Sequence, residues 1–258
     1  MAVLKSAKRL AVFPILSGLA NMVTIATFVM PIVRFGMWER SSVTTCVLIG
    51  LLYLTMAFVA SFFNAALISQ ADVALRGGTP SVTGGVRVAA ARWRRVLLWS
   101  LVSATVAHVL HLVQERFGFL GWIVTAITGT AWQVATFLAV PQMVLADRGF
   151  VDAVKDSAES MKRTWGANLV GTVGFHLFLM AAITPGIVLS ILSLPVLGVS
   201  TALAKLGIAG GILWVIAVLI MLSAVSGIFQ TAIYRFSTDG TAPNAFDPDD
   251  LAYAFQRR

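Results

Sequence analysis

The sequence has little charge and almost no cysteine. Charged residues fill only 12% of its 258 positions, about half the share found in ordinary soluble domains, so a soluble globular fold is excluded. Cys46 is the one cysteine. No intrachain disulfide can form, and cysteine says nothing about redox compartment. Histidine occurs three times, too few for a closed zinc site without ligands of other kinds. No glycine-rich phosphate loop with lysine, no HExxH, no GxSxG and no cysteine cluster occurs. The chain is therefore read as a non-enzyme, with no cofactor and no metal site.

What is present is apolar length. The composition is 58% hydrophobic, in runs near the ~20 residues needed to cross ~30 Å of hydrocarbon. The pattern predicts an all-α, polytopic membrane protein. Six transmembrane helices are expected at residues 11–33, 43–69, 96–113, 120–145, 168–192 and 207–234. They form one membrane domain over residues 1–235, arranged as three hairpins with interfacial amphipathic helices. Residues 236–258 form a polar tail with a short amphipathic helix. A cleaved signal peptide competes for the first span, because Gly18-Leu19-Ala20 has small-residue character. The apolar run continues well past Ala20, which favours a retained span. Pro185-Gly186 predicts a kink in span five, since proline removes a backbone donor.

The net charge is +8, which in a soluble protein suggests nucleic acid. Position explains it better. Fifteen of the nineteen Lys and Arg residues fall in the N-terminus, the two long loops and the tail, and four on the other side. The positive-inside rule then places both termini in the cytoplasm of a multi-pass cell-membrane protein. The expected partners are membrane lipids, with anionic lipid at the cytoplasmic face, and no nucleic acid.

Those loops share a plan, clearest from Gly149 to Gly171. Phe150, Val154, Ala158, Met161 and Trp165 fall on one helical face; Asp152, Lys155, Asp156, Glu159, Lys162 and Arg163 fall on the other. Such a helix lies in the interface and is too polar to span. Shifted by 72 residues, Val82, Val86, Ala89 and Trp93 match Val154, Ala158, Met161 and Trp165. Gly85 and Ala90 widen the first stripe, and Thr79-Pro80 reads as its N-cap with proline at the first helical position. A third, shorter copy begins at Asp247-Pro248-Asp249-Asp250. The interfacial or lipid-contact candidates are Arg87, Arg92, Trp93, Arg94, Arg95, Lys162, Arg163 and Trp165.

Few in-span residues can carry chemistry. His108, His111 and Glu115 are spaced i, i+3 and i+7 and share one face of span three. Ionisable groups inside a span are costly unless paired or wet. They read either as a proton or ion relay or as neutral structural histidines bonded between helices. His176, Gln133 and Asn64 complete the permeation or polar-face candidates, and Asn21 and Gln230 are further in-span amides. Helix-to-helix hydrogen bonding is the competing role for each amide.

The run Pro141, Asp147-Arg148-Gly149, Ala153, Ser157 and Arg163-Thr164-Trp165-Gly166 resembles prokaryotic six-span integral membrane families of unknown function. Their layout is similar to that of the membrane domain attached to some glycerophosphodiester phosphodiesterases. The resemblance implies a six-span helical fold over about residues 1–235. It lends no catalytic residue, because the soluble phosphodiesterase barrel is absent. Three functions stay open: a homo-oligomeric channel or transporter for an ion or small solute, a non-transporting lipid-interacting or scaffold protein, and an intramembrane enzyme.

Overall fold

A computed structural model describes residues 9–34, 43–163, 165–195 and 200–239, with the side chains of these residues except Ile32 and residues 161–177. The third interfacial copy from Asp247 lies outside the described residues. The chain is helical throughout the described elements: α1 (Val12–Arg34), α2 (Val43–Leu75), α3 (Val82–Ala91), α4 (Trp93–Ala135), α5 (Ala139–Leu145), α6 (Phe150–Arg163), α7 (Trp165–Leu192) and α8 (Thr201–Asp239). Four stretches among the described residues are long and apolar enough to cross a membrane: Val12–Pro31, Val43–Leu75, Trp93–Leu145 and Thr201–Thr238. Their outer surface is aliphatic, with Met22, Met30, Val33, Ile127, Leu206 and Leu213 all exposed. Such a surface is stable against hydrocarbon and not against water. The chain is a helical membrane protein.

α4 is two antiparallel arms. At Gly118 the backbone turns to φ 55, ψ −125, a conformation that glycine adopts without a Cβ penalty. Thr125 then donates to the Leu110 carbonyl at 3.1 Å. Near the other end of the arms the Trp99 and Trp132 rings stack 6.5 Å apart. At Gly121 a Cβ would stand 2.4 Å from the Val113 carbonyl oxygen, so the arms close tightly at the turn.

The second arm stops at Ala135, and a turn over Thr136–Leu138 separates it from α5. The expected continuous span over residues 120–145 is therefore broken. The cause is Pro141, which has no N–H to give to the carbonyl four residues earlier, that of Phe137. Gln230 of α8 donates to that carbonyl instead. The turn also strips the Leu138 N–H of its helical acceptor, and Ser157 of α6 accepts from it at 2.9 Å. Both groups freed at the break are thus satisfied by side chains from other helices.

α2 ends in a glycine turn. Gly77 sits at φ 80 and Gly78 donates to the Val73 carbonyl at 2.8 Å, the Schellman pattern. The Gln70 side chain accepts from the Ser81 N–H at 2.8 Å, and Ser81 caps α3 by accepting from the Gly84 N–H at 3.1 Å. The cap expected at Thr79-Pro80 is thus two residues later, because Ser81 carries both the extended backbone and the hydroxyl. α3 lies across α1 and α2. A Cβ at Gly85 would stand 2.6 Å from the Phe13 ring and 3.0 Å from the Ala66 carbonyl oxygen, so only glycine allows this approach. α6 packs in the same way through Ala153 and Ser157, both fully buried. Its seated line is this narrow small-residue edge, with Phe150 and Val154 packed beside it. α7 and α8 meet through Gly186, Ser190 and Gly211, where a Cβ on Gly211 would stand 2.4 Å from the Gly186 carbonyl oxygen.

The backbone repair at Pro141 has a measurable worth. Ser157→Ala leaves the buried Leu138 N–H unpaired, and Gln230→Leu does the same to the Phe137 carbonyl. Each is expected to destabilise the protein by about 1–3 kcal/mol, the cost of a buried polar group without a partner. A lowered thermal midpoint in detergent, against a control at the exposed Thr128, Thr128→Ala, checks this; an unchanged midpoint for both overturns it.

Candidate functional site

The basic interfacial residues are built by two short junctions. Arg92 joins α3 to α4, its N–H donating to the Ala89 carbonyl at 3.1 Å. That kink aims successive arginines in different directions. Arg92 and Arg95 turn inward to Asp147, at 3.2 Å and 2.6 Å. Trp93 and Arg94 stay exposed, with the guanidinium 5.6 Å from the indole centroid, a cation–π distance. Arg87 on α3 is exposed as well. The interfacial candidates therefore divide into three outward groups, Arg87, Trp93 and Arg94, and two held arginines.

Asp147 organises this division. It occupies the left-handed region at φ 55, which aspartate tolerates better than most residues. This ends α5 and turns the carboxylate toward the start of α4. Next in the chain, Arg148 pairs with Asp156 of α6 at 3.2 Å. Under the same end of the bundle, Asp72 of α2 takes Arg235 of α8 at 2.5 Å and Arg76 at 3.1 Å. The Asp72 and Arg235 side chains are nearly closed off from solvent, at 13% and 16% exposure. This pair ties the ends of α2 and α8 together. Sequence reading treated Arg235 and Arg76 only as topology charges and left Asp72 and Asp147 unassigned as partners. Nothing in chain spacing links Asp72 to a residue 163 positions away.

The polar face of α4 is placed on the outside of the single chain. His108, His111, Glu115 and Gln133 are all exposed. His111 and Glu115 pair at 3.1 Å, one helical turn apart beside the Gly118 turn. Asn64 is half-buried on α2 and does not meet this group; it faces a groove toward α1 and α8. The side chains of His176, Lys162, Arg163 and Trp165 lie outside the described residues.

The Arg95 hydrogen bond and charge hold the Asp147 carboxyl below its ordinary value of 3.8, with Arg92 adding to the effect and desolvation opposing it. A lowered folded-state pKa means that the pair's contribution is complete above the ordinary value and lost as pH falls through the folded value. Stability due to this pair is therefore expected to be flat from about pH 5 to 8 and to decline only in stronger acid. Thermal unfolding of the native protein and of Asp147→Asn across that range checks it. The difference between the two should be constant at neutral pH and vanish in acid; a difference that grows in acid overturns the assignment.

A family model described as a family of unknown function (DUF6159) matches residues 43–244. No curated protein and no solved structure matches the chain.

Proposed function

The chain belongs to this family of unknown function, and we propose that it is a lipid-interacting multi-pass protein whose interfacial helices bind anionic lipid along a basic rim. The observation that carries this reading is the division around Asp147: two arginines share its one carboxylate as structure, while Arg87, Arg94 and the Trp93 ring are left outward around the α3–α4 junction. A tryptophan beside guanidinium groups with no ion-pair partner among the described residues suits the headgroup layer, where each nearby basic residue adds about 1 kcal/mol toward anionic lipid. Lys162, Arg163 and Trp165 stand at the corresponding point of the second copy, where α6 meets α7.

The reading includes six crossings. The two arms of α4 count separately about Gly118, and α7, at 28 residues, is about 42 Å long. The repeat has support in packing: Gly85 approaches Ala66 and Ser157 approaches Leu138, and both pairs are related by the 72-residue shift. The positive-inside rule then places both termini in the cytoplasm. The likeness to phosphodiesterase-attached membrane domains, carried by Pro141–Gly166, supplies a layout here and no activity.

A second reading, a homo-oligomeric channel or transporter, is favoured by one observation. His108, Gln133 and the His111–Glu115 pair sit on the outer face of α4, where bare contact with lipid tails costs several kcal/mol. A second copy covering that face removes the cost. The intramembrane enzyme reading rests on the histidines alone.

The test compares lipids retained by the full chain in native mass spectrometry after equilibration with phosphatidylglycerol or phosphatidylcholine. Arg87→Gln with Arg94→Gln should cut retained phosphatidylglycerol by roughly tenfold or more and leave phosphatidylcholine unchanged. Asp147→Asn, which frees Arg92 and Arg95, should raise it. Equal retention of both lipids by all forms overturns the reading. Liposome flux from about pH 5 to 8, a range that brackets histidine titration, decides the second reading. Protein-dependent flux that loses its pH response in His108→Ala with His111→Ala supports a channel. Reporter fusions after Gly36 and after Tyr234 should report opposite sides of the membrane.

A further inference from the structure

α1, α2 and α8 do not close against one another. They leave a lateral groove of about 660 Å³, within the range of about 300–1,000 Å³ typical of small-molecule sites. The floor is fixed by close packing: a Cβ at Gly227 of α8 would stand 2.0 Å from the Leu67 side chain of α2. Above that contact the wall is aliphatic and aromatic except for five side chains, Ser17, Asn21, Ser61, Asn64 and Ser223. No ionisable residue lines it.

Those five residues share one feature. Many serines and threonines elsewhere in the helices return their hydroxyl to the carbonyl four residues earlier, as Thr24, Thr55, Ser100, Ser190 and Thr231 do. Ser17, Ser61 and Ser223 make no such bond, and neither asparagine bonds to any described residue. The Asn21 carbonyl oxygen is sealed from solvent and has no partner. A buried amide oxygen left unpaired costs about 1–3 kcal/mol. Five unpaired polar groups converging on one apolar groove are a receptor surface awaiting donors and acceptors.

Depth narrows the ligand. Asn21 lies nine residues from the start of α1 and Asn64 eleven from the end of α2, about 14 Å and 16 Å along the helices. Both distances reach about the middle of a ~30 Å hydrocarbon layer. A charged head is strongly disfavoured there, and the groove offers no counter-ion. We infer that the groove binds a neutral amphiphile of the long-chain alcohol class, its chain against the aliphatic wall and its hydroxyl accepting from the Asn21 or Asn64 amide N–H while donating to a groove serine or the Asn64 oxygen.

Gly18 provides a clean test, because a Cβ there meets nothing within 4 Å and points into open space. Gly18→Phe fills the groove without a clash, and Gly50→Phe, at an equally open glycine of α2, is the control. Full-length protein in nanodiscs is photolabelled with diazirine-bearing hexadecanol and digested, and the labelled peptides are identified. Label should concentrate on residues 14–22, 60–67 and 216–223. It should fall at least about tenfold in Gly18→Phe and about tenfold in Asn21→Leu, the size of one lost hydrogen bond. Asn21→Leu should keep or raise the thermal midpoint, since it removes an unpaired buried group; loss of label with loss of folding is distinguished by this measurement. Hexadecanoate and hexadecylammonium should compete far less well than hexadecanol. Label spread evenly over lipid-facing helices, equal labelling in Gly18→Phe, or equal competition by the charged analogues overturns the inference.

Discussion

A backbone amide inside a bilayer has no water to fall back on, and the break at Pro141 exposes that constraint. One proline leaves the Phe137 carbonyl without its helical donor, and the turn leaves the Leu138 N–H without its acceptor. Gln230 and Ser157 meet them from α8 and α6. These two bonds tie the turn before α5 to the neighbouring α6 and to α8, 93 residues further on. They also fix where α6 seats on the bundle and hold α8 beside it. Leu138 is buried, so removing its partner leaves a polar group with neither water nor protein to bond.

The rest of the packing follows a consistent rule: where helices touch, side chains are small. Gly85 under Phe13, Ala153 and Ser157 on α6, and Gly186 against Gly211 allow backbones to come close. Lipid tails are as apolar as leucine, so apolarity alone gives helices no reason to prefer one another. Close contact and buried hydrogen bonds supply the preference. The ion pair of Asp72 with Arg235 adds a directed contact at the basic end, and the arginines on Asp147 add another.

Much of this architecture was legible in the sequence, for identifiable reasons. Apolar run length reports bilayer thickness directly, so long apolar helices were expected and are found; their bounds differ, with α2 running on to Leu75, α8 spanning Thr201–Asp239, and the stretch over 120–145 broken at Thr136–Leu138. Tryptophan and apolar residues recurring at one spacing revealed the two short amphipathic helices α3 and α6. What escaped depends on orientation. In a span with lipid on one side and protein on the other, both faces are apolar, and periodicity carries little information about which is inward. So nothing in the pattern placed His108 and Gln133 outside or turned Asn21 and Asn64 toward a common groove. Nor did it distinguish Arg92 and Arg95 from Arg87 and Arg94, because the partner that separates them, Asp147, is contributed by another loop. The cap at Ser81 was missed because Thr79-Pro80 offers the same chemistry two residues early.

The turn at Gly118 leaves no loop between the two arms of α4. Their spacing is therefore set by one backbone conformation, at Gly118, and one close contact, at Gly121. A Cβ at either place opens the hairpin from its tip, and the Thr125–Leu110 bond and the Trp99–Trp132 stack are the contacts that part. The whole second arm hangs from two glycines.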